Sequence, residues 1–257
     1  MIIKKSPEEI DQIAAAGRIL ARCHALVRSK ARAGVTTGEL DEAAERFIRS
    51  QGAEPAFKGY RGFPGSICAS PNSMVVHGIP GNYKLDRGDV LSVDIGVVLD
   101  GWVADAAVTL AIGPLASVAR ALLDTTRASL FDAVEQCRAG NRLGDVSHAV
   151  QSRVEQAGFS VVRSLVGHGI GRDMHEDPQI PNYGRPGTGP DLEVGMVLAV
   201  EPMVNVGTHG IRMGSDNWSV YSQDGSLAAH FEHTVAITEE GPRILTPWHL
   251  EEERRAA

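Results

Sequence analysis

The stretch Arg87–Asp94, RGDVLSVD, is repeated in altered form 107 residues later as Val194–Glu201, VGMVLAVE. Both segments read Gly-x-Val-Leu-x-Val and then end on a carboxylate. An apolar run of Val and Leu after a glycine is typical of a buried β-strand. Because a lone carboxylate is costly to bury, two of them in equivalent places predict a cationic group between the repeats.

The repeat extends into the flanking segments. Gly34–Gly52 aligns without a gap with Gly140–Gly158, and the segment around Asp105 aligns with the one around Glu232. Chance similarity between strand–helix units explains this poorly, since acidic as well as apolar positions match. We therefore predict one domain over residues 1–257 that arose by duplication. Its halves are predicted at residues 1–112 and 113–245.

Composition and charge narrow the class of protein. The chain has 257 residues and a net charge of −7, which allows a sizeable core and argues against nucleic acid as the main partner. Its cysteines, Cys23, Cys68 and Cys137, are odd in number and far apart, so we expect no disulfide framework and a cytoplasmic location. No apolar run reaches the roughly 18 residues that span a bilayer, so no membrane partner is expected.

Hydrophobic spacing predicts two helix pairs combined with antiparallel strands, which is an α+β fold class. Ser6 is a predicted N-cap, with Pro7 at the first helical position and Glu9 closing a capping box. The helices are predicted from there to about Arg28, from Thr37 to Gly52, and over Leu115–Arg138 and Gly144–Ala157. The predicted strands are Val90–Val98, Trp102–Ile112, Val161–Val166, Val197–Val204, Gly210–Met213 and His233–Thr238. Residues 53–82 and Pro178–Pro190 are predicted loops, and 251–257 a polar tail.

The first predicted hairpin brings two aspartates together. If Asp100 and Gly101 form a two-residue turn, residue 94 faces residue 107. Asp105 then lies diagonal to Asp94 on the same face, with Cα atoms roughly 7–8 Å apart. Two like charges there repel unless a cation joins them.

By the repeat, Glu201 and Glu232 are the corresponding pair from the other half. A surface ion pair would explain any one of the four acids, but not four in repeat-related positions. Four carboxylates and one imidazole suit two divalent ions, since the charges nearly balance. Oxygen-rich ligation disfavours a structural zinc and suits Mn, Fe, Co or a catalytic Zn.

The segment GHGIGRDMH supplies His168 and His175 on either side of a glycine-rich bend, which permits close approach to a ligand. His77 follows an apolar run. His233 is predicted to point to the strand face opposite Glu232. The remaining histidines have no constellation around them: His24, His148, His209, His230 and His249.

The five residues Asp94, Asp105, His168, Glu201 and Glu232 resemble the dinuclear metal site of the methionine aminopeptidase/creatinase superfamily, whose fold is called pita-bread. The flanking motifs resemble its type I methionine aminopeptidases over residues 3–248. These motifs are SICASPN at 66–72, HGIP at 77–80, GHGIGRxxHExP from 167, Glu201-Pro202 and Phe231–Thr234. The resemblance implies a pseudo-twofold antiparallel sheet flanked by two helix pairs.

The resemblance also implies the role of each ligand. Asp94 would ligate one metal with both oxygens, and Asp105 and Glu232 would bridge the two metals. His168 and Glu201 would complete the other site, with Glu201 as the base for a metal-bridging hydroxide.

Substrate contacts are implied in the same way. His77 would contact the substrate near its N-terminus, and His175 would hydrogen-bond the scissile carbonyl and its oxyanion. The implied methionine pocket is lined by Phe57, Tyr60, Phe63, Cys68, Met174 and Trp218. Phe57 and Met174 depart from the residues common at these positions, and ordinary core packing is the alternative interpretation of Phe57 and Phe63.

The implied function is removal of the N-terminal methionine from nascent proteins and peptides with a small second residue, by a monomer, with the ribosome as one setting. An Xaa-Pro peptidase of the same superfamily is one alternative, although such enzymes usually carry a large N-terminal domain. A metal-free homologue that acts as a binding protein is another, although such relatives lose ligands and all five are present here.

Overall fold

Two pairs of α-helices pack against the strands in the computed structural model, which describes residues 1–251. They are α1 (Pro7–Lys30), α2 (Thr37–Ser50), α3 (Ser117–Gln136) and α4 (Leu143–Gln156). Since α1 contacts α2 and α3 contacts α4, the two predicted helix pairs are confirmed, with each end displaced by less than one turn. The predicted polar tail at 251–257 lies outside the described residues, apart from Glu251.

The strands of residues 1–251 pair antiparallel throughout. They are β1 (Glu54–Pro55), β2 (Cys68–Pro71), β3 (Met74–Val76), β4 (Val90–Leu99), β5 (Trp102–Ala111), β6 (Ser160–Val161), β7 (Val166–Gly169), β8 (Glu176–Pro181), β9 (Val197–Val200), β10 (Met203–Asn205), β11 (Ile211–Met213), β12 (Val220–Ser222), β13 (Ala228–His230), β14 (His233–Thr238) and β15 (Gly241–Ile244). Helices and antiparallel strands together confirm the α+β class.

Two sheets form the centre of the molecule. In the first, β4 pairs with β1, β2 and β5, and the second has the order β15-β14-β9-β7-β8. They meet where the Glu232 N–H donates to the Ala107 carbonyl over 2.9 Å and the Thr234 hydroxyl donates to the Asp105 carbonyl over 2.7 Å. These bonds place the acidic strands of the two halves side by side.

Helix α1 covers the first sheet. It begins as its sequence predicts, since the Glu9 N–H donates to Ser6 Oγ over 3.3 Å and the Ser6 N–H donates to Glu9 Oε2 over 2.9 Å. This capping box satisfies two donors that a helix start otherwise leaves unpaired. The helix contacts β4 and β5 and buries Ile13 and Leu20 completely. Burial of each such side chain stabilises the folded state by about 1.5–3 kcal/mol.

The β4–β5 hairpin has the predicted register. Leu99 faces Trp102, and Asp105 faces Gly96, two residues beyond Asp94. The turn residues Asp100 and Gly101 have φ values of 50° and 76°, as a two-residue turn between twisted strands requires. Asp94 and Asp105 therefore lie diagonally on one face.

Two of the predicted loops contain strands. Residues 53–82 contain β1, β2 and β3, and Pro178–Pro190 begins inside β8. In β8 the two prolines lie on the edge of the sheet, where a missing N–H does no harm. The sequence of this segment predicted a loop because its prolines disfavour a strand locally. Pairing with β7 nevertheless makes the segment a strand.

Two of the predicted strands are interrupted. Val161–Val166 divides into the end of β6 and the start of β7, with a bend between them. Val197–Val204 divides into β9 and β10 at Glu201-Pro202. Proline cannot donate to the ladder, so the chain leaves β9 at the point where Glu201 enters the site.

Candidate active site

The five predicted ligands converge from three strands and two strand ends. Asp94 lies within β4, Asp105 within β5 and His168 within β7. Glu201 directly follows β9, and Glu232 directly precedes β14. Exposure ranges from 2 % for Glu232 to 9 % for Asp94 among the four fully buried members, and the Glu201 side chain is 13 % exposed.

Several oxygens of this cluster have no hydrogen-bond donor. Asp94 Oδ1, Asp105 Oδ1 and Glu232 Oε1 are buried without a partner, and ligand atoms of Asp105, His168 and Glu232 all lie within 4.8 Å of one another. Glu201 Oε1 lies 3.5 Å from His168 Nε2. Unpaired buried carboxylates are costly, so this donor set fits divalent cations, which prefer such oxygens with one imidazole.

Burial and mutual repulsion change the protonation of these acids. Burial raises the pKa of Asp94 to about 7, although a hydrogen bond with Asp105 opposes the shift. Burial also raises the pKa of Asp105, Glu201 and Glu232 well above their ordinary values, with neighbouring carboxylates adding to each shift. In the absence of cations the cluster therefore retains protons, which metal binding must release.

His168 presents a lone pair to the cluster. Its Nδ1 lies 2.9 Å from the Gly169 carbonyl, which can only accept, so Nδ1 carries the proton and donates. Burial lowers the pKa of His168 to about 4, so the ring is neutral near pH 7. Nε2, directed towards Glu201, is therefore free to ligate a cation.

A cavity of about 160 Å³ ends on these carboxylates. Besides the five ligands, it is lined by Phe57, Tyr60, Arg61, Phe63, Cys68, His77, His175 and Trp218. Phe63 and Trp218 meet edge to face with ring centroids 5.1 Å apart. One side of the cavity is therefore apolar and the other anionic, as in sites that bind an apolar group next to a reacting polar one.

Met174 is the one predicted pocket residue that does not line this cavity. It is buried, and a Cβ added to Gly96 would lie 3.0 Å from Met174 Cε and 2.8 Å from the Phe57 ring. Met174 thus packs beside Phe57 at the glycine of β4, behind the lining. The glycine makes room for both side chains.

His175 and His77 lie on the same cavity as the cluster. Tyr60 Oη is 2.9 Å from His175 Nδ1, and the His175 ring lies 4.3 Å from the His168 ring. Partial burial and the positive charge of Arg61 lower the pKa of His175. Burial and the charge of His175 lower that of His77, whose φ of 59° is in the left-handed region.

His230 contradicts the expectation that it has no constellation around it. Its Nε2 is buried without a hydrogen bond and lies 3.8 Å from Glu201 Oε2 and 3.9 Å from Glu232 Oε2. Burial lowers the pKa of His230 to about 3. Its spacing of two residues from Glu232 was the available signal, since alternate residues share a face in extended chain.

His233 points away from the cavity, as predicted. Its ring stacks on Trp248 with centroids 4.5 Å apart and meets Phe131 edge to face. The Trp248 indole N–H donates to the Glu232 carbonyl over 2.9 Å. Glu232 and His233 therefore point to opposite faces of the strand, and the aromatic cluster around His233 holds the backbone of Glu232 from the side away from the cavity.

The model of metallopeptidase family M24 matches residues 11–239 of the chain. The chain belongs to this family. Its M24 relatives include the methionine aminopeptidase of Clostridium acetobutylicum, 53 % identical with 96 % of this chain and 99 % of the relative covered. Methionine aminopeptidase 1 of Bacillus subtilis is 51 % identical, with 96 % and 99 % covered.

Solved structures agree with this family assignment. A methionine aminopeptidase from Rickettsia prowazekii superposes with a TM-score of 0.94 at 40 % identity, covering 96 % of this chain and 100 % of that one. The prolidase from Pyrococcus horikoshii has a TM-score of 0.77 at 21 % identity, and only 64 % of its chain is covered. The second likeness shows the shared fold alone. The resemblance to methionine aminopeptidases and the expected pita-bread fold are thus confirmed, and the chain is an M24 metallopeptidase.

Proposed function

We propose that this chain removes the N-terminal methionine from peptides and nascent proteins whose second residue is small. The observation that supports this most directly is the single cavity in which Phe57, Phe63 and Trp218 adjoin the buried carboxylates. The apolar wall suits an unbranched thioether, and the anionic wall suits metal-assisted hydrolysis. Relatives more than 50 % identical are named methionine aminopeptidases.

Two divalent cations, drawn from Mn, Fe, Co and Zn, would be held by Asp94, Asp105, His168, Glu201 and Glu232. The partnerless oxygens and the directed lone pair of His168 support this assignment. When bound, the cations supply charge neutralisation and lower the pKa of water towards neutrality.

Proton transfer is proposed for Glu201. It is the most exposed carboxylate of the cluster, with 13 % of its side chain accessible, and it lies on the cavity. Burial and the neighbouring carboxylates raise its pKa well above the usual value in the metal-free protein, and metal binding must release that proton before Glu201 can act as a base. The proton taken from the attacking water would pass to the leaving amine.

The oxyanion is proposed to be stabilised by His175. If the Tyr60 hydroxyl donates a hydrogen bond to His175 Nδ1, 2.9 Å away, the one ring proton of neutral His175 lies on Nε2. Nε2 can then donate to the scissile carbonyl. Such a bond strengthens as charge develops on oxygen. His77, on the same cavity, is proposed to contact the substrate near its N-terminus.

The protein is further proposed to act as a cytoplasmic monomer on emerging polypeptide N-termini. All three cysteines are free, which supports a reducing compartment. No helix among residues 1–251 is long and apolar enough to cross a membrane.

Peptide hydrolysis tests the proposed specificity. The metal-loaded protein should release methionine from Met-Ala-Ser much faster than it cleaves Leu-Ala-Ser or Met-Lys-Ser. Equal rates on the leucine peptide would contradict the methionine pocket, and equal rates on Met-Lys-Ser would contradict the small second residue. Preferential cleavage of Ala-Pro peptides would instead favour the Xaa-Pro peptidase alternative.

A further inference from the structure

A buried ion pair outside the carboxylate cluster connects the N-terminal segment to the loop that presents His175. Lys5 Nζ lies 2.5 Å from Glu176 Oε2, and the two side chains are only 3 % and 5 % exposed. The neighbouring pair Lys4–Glu193 has a distance of 2.8 Å but is 53 % and 55 % exposed. Burying two charges costs free energy that a surface pair does not incur, so the position of Lys5 calls for a reason.

The second oxygen of Glu176 closes the loop itself. Glu176 Oε1 accepts from the N–H groups of Arg172 and Asp173 over 3.0 and 3.3 Å. The Gly171 N–H also donates to the Asp173 carbonyl over 3.2 Å. The Glu176 carboxylate thus holds the backbone from residue 172 to residue 176, and His175 lies inside this turn.

Close packing leaves the pair no room to move. A Cβ added to Gly171 would lie 2.5 Å from Lys5 Cε and 2.7 Å from Glu176 Oε1, so the ion pair rests directly on the loop backbone. Lys5 is anchored in turn, because its N–H donates to the Gly195 carbonyl over 2.7 Å and its ammonium donates to the Ile3 carbonyl over 2.9 Å.

The His175 imidazole is therefore fixed from two sides. Tyr60 holds Nδ1 across the cavity at 2.9 Å, and the backbone one residue on is held by Glu176 and Lys5. We propose that Lys5 and Glu176 are positioning residues for His175, setting the place of its imidazole relative to the scissile carbonyl. The inference rests on the proposed function of His175. A displacement of about 1 Å in such a group costs roughly 10²-fold in rate.

The test compares Lys5→Met with Lys4→Met in the metal-loaded protein. Methionine has an unbranched side chain of similar length without charge, and Lys4 supplies a matched exposed control. Lys5→Met should lower kcat about tenfold to hundredfold, with little change in KM and in metal content, whereas Lys4→Met should match wild type. A wild-type kcat for Lys5→Met, or loss of metal with activity, would overturn the proposal.

A double-mutant cycle tests whether the effect passes through His175. If it does, Lys5→Met should lower kcat no further in the His175→Ala background. A full additional loss there would show that the ion pair acts on the fold generally, and would overturn the proposal. Should Lys5→Met fail to fold, Glu176→Gln takes its place, since the amide retains an oxygen for the turn, and a wild-type kcat in that variant would be equally decisive.

A readout without turnover separates this inference from the proposed function. In protein labelled with ¹⁵N at histidine, Lys5→Met should shift the His175 ring nitrogen signals, and Lys4→Met should not. Unchanged His175 signals in Lys5→Met would refute the positioning role even if the enzyme is active. Shifted signals in a protein that cleaves no methionine peptide would instead retain the positioning role and refute the function.

Discussion

The first half of the chain brings its carboxylates to the site from inside regular strands, whereas the second half brings its own from strand ends. Asp94 and Asp105 lie within the continuous β4–β5 hairpin. Glu201 and Glu232 lie just outside β9 and β14, and the longer glutamate side chain reaches back to the cluster. The halves contribute equal charge, but the first half does so from within regular strands and the second half from residues next to strand ends.

The second half also supplies the two residues for which chemical steps are proposed. Glu201 directly follows β9, and His175 directly precedes β8. Irregular backbone on a rigid scaffold commonly carries function. We infer that the hairpin chiefly holds cations, and that the irregular segments of the second half chiefly carry out the chemistry.

Removing a hairpin ligand should have the largest effect. Asp105→Asn keeps the shape of the side chain but removes an anionic ligand, so both metal content and methionine release should fall to background. Asp100→Asn in the turn of the same hairpin is the matched control, because asparagine tolerates its φ of 50°. Metal analysis and peptide assays check both variants, and an Asp105→Asn protein that keeps both cations would break the comparison.

His175→Ala should separate chemistry from metal binding. Loss of one oxyanion donor costs roughly 10²–10³ in kcat, while metal content and KM should stay near normal. Glu201→Ala should lose a metal as well as activity, because an anionic ligand is gone. Loss of metal in His175→Ala, measured beside the surface control His148→Ala, would require a new ligand set.

The carboxylate cluster should make metal-free protein less stable as pH rises. Burial raises the pKa of Asp94 from 3.8 to about 7 in the folded state, so the folded protein binds more protons than the unfolded chain between these values. The contribution of Asp94 to the free energy of unfolding is therefore lost as pH rises through that window. The melting temperature of metal-free Asp94→Asn should therefore rise relative to that of the wild type as pH increases from about 4 to about 7. A difference in melting temperature that is constant with pH would contradict the assignment.

Chemical modification of Cys68 should have the smallest and slowest effect on activity. It lines the cavity opposite Asp94, whereas Cys23 and Cys137 are fully buried elsewhere. Burial, with the nearby carboxylates, raises the pKa of the Cys68 thiol well above its usual value of 9.0. Thiol reagents should thus inactivate the enzyme slowly, faster at higher pH, and Cys68→Ser should largely escape. Equal inactivation of that variant would place the reactive thiol elsewhere.

The same comparison explains what the sequence could predict. The β4–β5 hairpin follows from local rules, because a two-residue turn sets the register of every later pair. Asp94 and Asp105 were therefore placed correctly from spacing alone. The helix start at Ser6 was predictable for the same reason, since its capping box lies within four residues.

The features that were missed depend on distant partners. Strand β8 contains two prolines, and it is a strand only because β7 lies beside it. His230 ends β13, which belongs to a different sheet from β14, and Lys5 meets Glu176 across 171 positions of sequence. Met174 was assigned to the pocket by resemblance, whereas the glycine at 96 lets it pack behind Phe57.

An anaerobic metal titration tests most directly the claim that both halves hold the cations required for methionine release. Metal-free protein would be titrated with Mn²⁺ or Co²⁺ while bound metal and Met-Ala-Ser hydrolysis are followed together. Binding should approach two equivalents per chain, with activity appearing only as the cluster fills and absent from Asp105→Asn throughout. Full hydrolysis by metal-free protein, or equal binding and activity in Asp105→Asn, would contradict the account.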